Sequence, residues 1–292
     1  MKKITLLSVI CTLIFCSMPL MAADYIVGAK GGYFVWRPFL RDIPGPGGFS
    51  TLESGTGALA GPIFGIAFTD DITLSVSGLF GQQTAQWSMG NMYNEKEGKY
   101  ESTTSYMQEQ RYDIDTALSY QVIRGLRLFV GYKYQYLELD WISSSRQAGD
   151  VTSMSVSEDH VIFKIPLQGV AVGGSYTAPF SDLYFFSMSF SGIFMRGKFK
   201  YSSHETRYRT YESTAITGTP DDESATWDMQ QIGFNFEPAI GIRTAGPIIS
   251  LGVRYQLLRT QFYNAEASND GPSDNWMNDH LYGIFMSVMF VL

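Results

Sequence analysis

The chain has 292 residues, 45% hydrophobic and 15% aromatic, with a formal net charge of −7. That acidic balance argues against nucleic acid as a partner, because such binders carry basic patches. No apolar run is long enough for a membrane helix. High aromatic content with a mean hydropathy of −0.04 instead suits a membrane β-barrel, where polar lumen residues dilute the lipid-facing ones.

Residues 1–22 read as an export signal. Lys2 and Lys3 form its positive end, Ile4 to Phe15 an apolar run too short to span a bilayer, and Ala22 and Ala23 a small-residue cleavage site. Losing the two lysines takes the net charge from −7 to about −9. Cys11 and Cys16, the two cysteines, both lie in this segment, so the mature chain has no possible disulfide. Acylation of Cys16 is the alternative; Phe15 is a poor neighbour for it, and the apolar run continues to Leu20. Residues 23–292 are then one barrel domain, expected in the outer membrane of a diderm bacterium.

About ten segments alternate with period two, joined alternately by short turns and long polar stretches. The first, Tyr25–Trp36, is glycine-rich; the second spans Leu59–Phe68, and Thr69-Asp70-Asp71 turns into the third, Ile72–Phe80. The fourth, Tyr106–Val122, sets Tyr112, Ile114, Leu118 and Tyr120 outward against Arg111, Asp113 and Asp115. After Arg124-Gly125 the fifth shows Leu126, Leu128, Val130, Tyr132, Tyr134 and Tyr136 on one face, with Arg127, Lys133 and Gln135 on the other. The sixth spans His160–Tyr176 and the seventh Tyr184–Tyr201. The eighth sets Ile232, Phe234, Phe236, Ile240 and Ile242 against Glu237 and Arg243, and the ninth Ile249, Leu251, Val253 and Tyr255 against Arg254. The tenth, Leu281–Leu292, puts Tyr282, Ile284, Met286, Val288 and Phe290 on one face. It is the segment expected to engage the barrel assembly machinery. A soluble β-sandwich also alternates, but segments beyond ten residues, tyrosine-tipped apolar faces and the export signal favour an all-β, antiparallel, up-and-down transmembrane barrel. The long stretches near 38–57, 89–104, 142–158, 202–225 and 262–278 are then extracellular, and the outer-membrane lipids are partners.

A barrel of about ten strands is barely wider than one that side chains fill. Its expected lumen charges are Arg111, Asp113, Asp115, Arg127, Lys133, Lys164, Glu237, Arg243 and Arg254. Buried charges need partners, so these are read as a cross-strand ion-pair plug, with a narrow aqueous path as the alternative. His160, His204 and His280 fall near loop ends; each has an adjacent acid, which alternation sends to the opposite face. Metal-ligand spacing, serine-nucleophile motifs and phosphate loops are absent, and no cofactor is expected. Tyr93, Tyr100, Tyr208, Tyr211, Tyr263 and Trp276 are the loop aromatics read as candidate ligand contacts, with Phe262 as a further exposed aromatic and Tyr106 and Trp227 read rather as girdle residues.

Several short stretches resemble the omptins, ten-stranded outer-membrane proteases. Phe163-Lys164-Ile165-Pro166-Leu167-Gln168-Gly169 and Gly174-Ser175-Tyr176 are similar to an omptin F-K-x-P-x-x-G and G-S-Y, and Phe199-Lys200-Tyr201-Ser202 to F-K-Y-S. Gly90-Asn91-Met92 resembles the loop carrying the omptin aspartate pair, and Gly131-Tyr132 lies in a strand like one bearing lipid-binding residues. The resemblance covers roughly 90–202 and implies a protease scaffold. The implied catalytic positions are not kept. Asn94 and Lys96 stand where the aspartates belong, Tyr211-Glu212-Ser213 where Asp-x-His belongs, and His204 has Ser202 two residues earlier. Tyr134, Tyr136 and Ile162 replace basic lipid-binding positions. An amide and a lysine do not activate water as a carboxylate does. The expectation is a non-enzymatic surface adhesin or envelope-structural barrel whose further partner is an extracellular protein or surface ligand. The alternatives are a narrow channel for ions or small solutes, and a diverged surface endopeptidase using His204 or His160.

Overall fold

The computed structural model describes residues 24–42, 54–94, 99–148, 153–211, 214–263 and 275–292. Residues 1–22, expected to be an export signal, and Lys96 lie outside them. Ten antiparallel strands close into one barrel in which each strand pairs with its neighbours in sequence and β1 closes on β10. They are β1 (Asp24–Arg37), β2 (Gly55–Ala67), β3 (Ile72–Asn94), β4 (Lys99–Ile123), β5 (Leu126–Ala148), β6 (Ser153–Pro179), β7 (Tyr184–Tyr211), β8 (Thr214–Arg243), β9 (Pro247–Tyr263) and β10 (Met277–Val291). Closure leaves no strand edge unpaired, which is what lets a sheet sit in lipid.

The β2–β3, β4–β5, β6–β7 and β8–β9 connections are short, and side chains tie three of them. Thr69 Oγ1 accepts from the amides of Asp71 and Ile72, Ser181 Oγ from those of Leu183 and Tyr184, and Thr244 Oγ1 from Gly246 while donating to the Pro247 carbonyl. The fourth uses Gly125 at φ 86°, where an added Cβ would lie 2.5 Å from the Thr177 carbonyl oxygen, so only glycine fits without strain.

The strands run further than their alternation suggests. β3 and β4 stay paired to Asn94↔Lys99, β5 and β6 to Ala148↔Met154, and β7 and β8 to Tyr211↔Thr214. Much of the stretches near 89–104, 142–158 and 202–225 is therefore strand. Apolar alternation stops where lipid stops, while backbone pairing continues, so polar and Ser/Thr-rich wall resembles loop in the sequence. β8 has 30 residues and β1 has 14, against about 9–11 for a tilted crossing. The wall thus rises much higher along β3–β8 than along β1, β2 and β10.

Side-chain polarity inverts with height. Near the short turns Leu118, Val130, Val172, Ile240 and Ile284 face outward and are about half exposed, as a lipid face requires. Tyrosines end this belt. The Tyr112 hydroxyl donates to Gln110, that of Tyr132 to Gln168 and that of Tyr136 to Glu138, at 3.3, 2.8 and 2.6 Å. Beyond them the outward row turns polar (Asp140, Lys164, Arg196, Lys198 and Lys200), while Leu137, Leu139, Phe163, Ile165, Leu167 and Met195 are buried inside. With water outside the wall, the enclosed face becomes the dry one, and the barrel carries a core like that of a soluble protein.

Candidate functional site

The bore divides into levels set by this inversion. Nearest the short turns lies a cavity of about 360 Å³ whose lining includes Thr73, Ser75, Ser77, Arg127, Ser175 and Ser189. Above it runs an ion-pair layer. Lys30 Nζ reaches Glu237 at 2.6 Å, Lys133 Nζ reaches Asp115 at 2.8 Å, and Arg111 Nε lies 3.2 Å from both oxygens of Asp113. Arg254 links the groups: its Nε is 3.4 Å from Glu237 and 3.2 Å from Asn235, and its Nη2 is 4.0 Å from Asp113. Lys133 also approaches Asp113 at 4.0 Å. Asp113, buried, therefore faces three cations from β4, β5 and β9. Four basic and three acidic side chains nearly neutralise one another here, as burial demands.

Buried Gln83, Gln135, Gln231 and Gln256 flank these charges, with Glu109 and Asp279 toward the outside. Trp36 Nε1 donates to Asp279 at 3.0 Å, and Gln83 Nε2 to the Phe34 carbonyl at 3.2 Å. Over this sits the apolar core, drawn from all ten strands and closed by a 3-10 turn, Phe39–Asp42, which folds into the mouth after β1. Phe39 and Leu40 are fully buried, and the Phe39 ring lies 6.2 Å from both Phe199 and Phe262. Asp42 accepts from the Asn278 amide at 2.9 Å and so pins the turn to β10.

On the outer side of the core is a pocket of about 250 Å³ lined by Trp141, Asp159, Val161, Tyr201, Ser203, Glu205 and Glu223. Its three carboxylates come from adjacent strands β6, β7 and β8 and share the inner face. Paired with the Trp141 and Tyr201 rings, they suit a cationic group.

Of the sequence-derived lumen charges, Arg111, Asp113, Asp115, Lys133, Glu237 and Arg254 come together, and Arg127 lies lower, 3.5 Å from Thr73 Oγ1. Arg243 reaches only the mouth beside the short turns, exposed over the Phe185 ring. Lys164 is a correction. It faces outward and is exposed, because Phe163 and Ile165 occupy the inner face at that height. Reading every alternate charge as luminal fails above the tyrosines. Phe262, expected as an exposed loop aromatic, is buried near the end of β9, and Trp227, expected in the girdle, packs against the core. Lys30, Glu109 and Asp279 were missed, although their parity, opposite to Tyr33, Tyr112 and Tyr282, was there to use. Trp276 is exposed beneath Arg259, and Tyr263 is half-buried at the end of β9. The side chains of Tyr93, Tyr100, Tyr208 and Tyr211 lie outside the described residues, as does that of Asn94.

Two imidazoles do meet carboxylates, from neighbouring strands rather than neighbouring residues: His160 with Asp140 at 2.7 Å and His204 with Asp222 at 2.6 Å. Both pairs are exposed on the outward face. The wall separates them from the acidic pocket, whose carboxylates point inward.

No family model matches the sequence, and neither does any curated protein. Among solved structures the chain is similar to the outer membrane protease OmpT from Escherichia coli, with TM-score 0.38, 13% identity, and coverage of 92% of this chain and 96% of that one. It is also similar to a mutant of TodX, a monoaromatic hydrocarbon channel (0.33, 8%, 94% and 92%). A third likeness is to the translocator domain of the autotransporter NalP from Neisseria meningitidis (0.32, 9%, 99% and 95%). A protease, a channel and a translocator at such scores assign no activity.

Proposed function

We propose that the chain is a non-enzymatic barrel of the outer membrane, an adhesin or envelope-structural protein that acts through its outer wall and loops and passes no solute. The observation that carries this reading is the apolar core across the bore, closed by Phe39 and Leu40. Ions do not cross a packed apolar layer, and this layer lies between the exterior and the 360 Å³ cavity nearest the short turns. The outward apolar belt supports membrane insertion. Contact with the exterior centres on the acidic pocket around Trp141 and Glu205, which suits a basic group on an extracellular partner. The separation of both His–Asp pairs from that pocket supports the absence of a protease site, because a general base must share a face with the group it serves.

Planar-bilayer recording tests the sealed bore: purified protein is expected to give no discrete conductance steps, and regular steps overturn it. Cleavage of a dibasic peptide by the purified barrel, abolished by His204→Ala or His160→Ala, overturns the non-enzymatic reading.

A further inference from the structure

The outer wall brings together a set of side chains that the surface-contact reading does not use. β6 and β7 place His160 directly opposite His204 in the antiparallel register. Both point outward, above the tyrosines that end the lipid belt. His160 Nε2 lies 2.7 Å from Asp140 Oδ1 on β5, and His204 Nδ1 lies 2.6 Å from Asp222 Oδ1 on β8. Across four neighbouring strands the order is thus Asp140, His160, His204, Asp222, with the carboxylates at the ends and the imidazoles in the middle.

This arrangement has a chemical consequence. An imidazole that donates one N–H to a carboxylate holds its other nitrogen as a lone pair, the form in which histidine binds a metal, and metal-ligating histidines almost always have such a partner. Here those other nitrogens are His160 Nδ1 and His204 Nε2. Among the described residues the second is approached by Thr206 Oγ1 at 3.4 Å, a contact that a metal would displace. Directly opposed residues on antiparallel strands have Cβ atoms about 4.5–5.5 Å apart. Two imidazoles on such a base can close on one Zn²⁺ with Zn–N bonds of about 2.0–2.1 Å. Glu158, two residues before His160 on the same face, adds negative potential.

The geometry points to a divalent-metal site on the outer wall: His160 and His204 chelate Zn²⁺ from the exterior, Asp140 and Asp222 position the rings, and water completes the coordination. Among the described residues no three imidazole or carboxylate groups already converge on a metal-sized point. The site is therefore a two-imidazole surface chelate, unlike a closed four-ligand structural centre. The bound ion joins β6 to β7 through side chains at a height where the lipid belt no longer supports the wall.

The test is calorimetric titration of the full-length barrel with Zn²⁺ alone. One saturable site is expected, weakened at least tenfold by His160→Ala and by His204→Ala. Asp140→Asn and Asp222→Asn are expected to weaken it by about 10–100-fold, the usual effect of losing the carboxylate behind a ligating histidine. His280→Ala, which removes a ring hydrogen-bonded to Tyr255, is expected to leave it unchanged. Both target imidazoles are about half exposed, at 46% and 56%, so their removal should spare the fold; unheated gel mobility checks this. Cu²⁺ bound at the same site is expected to show nitrogen hyperfine coupling from two imidazoles in the wild type and from one in either His variant. Absence of saturable Zn²⁺ binding, or equal affinity in the wild type and the double variant, overturns the site. Unchanged affinity in both Asp variants overturns the positioning role.

Discussion

Asp113 provides the sharpest test of how the lumen is held. It is buried and faces Arg111 at 3.2 Å and Lys133 and Arg254 at 4.0 Å. Asp113→Ala leaves those three cations with Asp115, Glu237 and the more distant Glu109, which stands 3.9 Å from Arg111. Removing one partner of a buried pair costs about 3–5 kcal/mol, because the remaining charge stays in a poorly solvated site. Asp115 is the internal control. Its side chain is 40% exposed and, among the described residues, it pairs with Lys133, which keeps Asp113 at 4.0 Å when Asp115 is removed. Asp115→Ala should therefore cost less than Asp113→Ala, about 1–2 kcal/mol for the hydrogen bond the buried ammonium loses. Replacing both groups, in Arg111→Met with Asp113→Leu, should recover most of the loss, since an apolar pair of similar size removes charge and counter-charge together. The assay is urea unfolding in phospholipid vesicles, followed by tryptophan fluorescence and compared at equal slope. Equal losses for Asp113→Ala and Asp115→Ala, or a double variant no better than Asp113→Ala, would refute the reasoning.

Two further substitutions probe the rest of the architecture. Val130 and Glu138 face outward on β5, below and above the tyrosine boundary. Val130→Arg should cost about 2–4 kcal/mol in the middle of the lipid belt. Glu138→Arg should cost only about 1 kcal/mol, for the Tyr136 hydrogen bond it removes and the like charge it sets opposite Lys164; vesicle unfolding showing the two to be alike would misplace the boundary. Phe39→Ala should cost about 3–5 kcal/mol, since the ring is fully buried against Phe199 and Phe262. A loss near zero in the same assay would mean that the 3-10 turn does not seat in the mouth.

Strand number, up-and-down order and the lipid-facing residues were legible because lipid leaves one choice for an outward side chain. Leu118, Leu128, Val130 and Ile284 have to alternate with smaller or polar residues, and they do so visibly. Most of the luminal ion pairs followed from the same parity, since charges opposite an apolar lipid face have nowhere to go but inward. Above the tyrosines that logic reverses. Lys164 was misplaced because a sequence records alternation but not which side of a wall is wet, and Phe262 because β9 runs on into a stretch that reads as loop.

The sequence by itself determined a barrel, its short turns and the polarity of its lipid-spanning zone, all of which depend on neighbours one or two residues away. Only the tertiary structure decided that the bore is filled, since Phe39 must meet Phe199 and Phe262 from strands far along the chain. It alone brought Asp140 to His160 and Asp222 to His204, because cross-strand register is a property of the closed sheet. Physically, local alternation follows from the solvent outside each residue, whereas plug, pocket and imidazole pair depend on where closure places residues that share no local pattern.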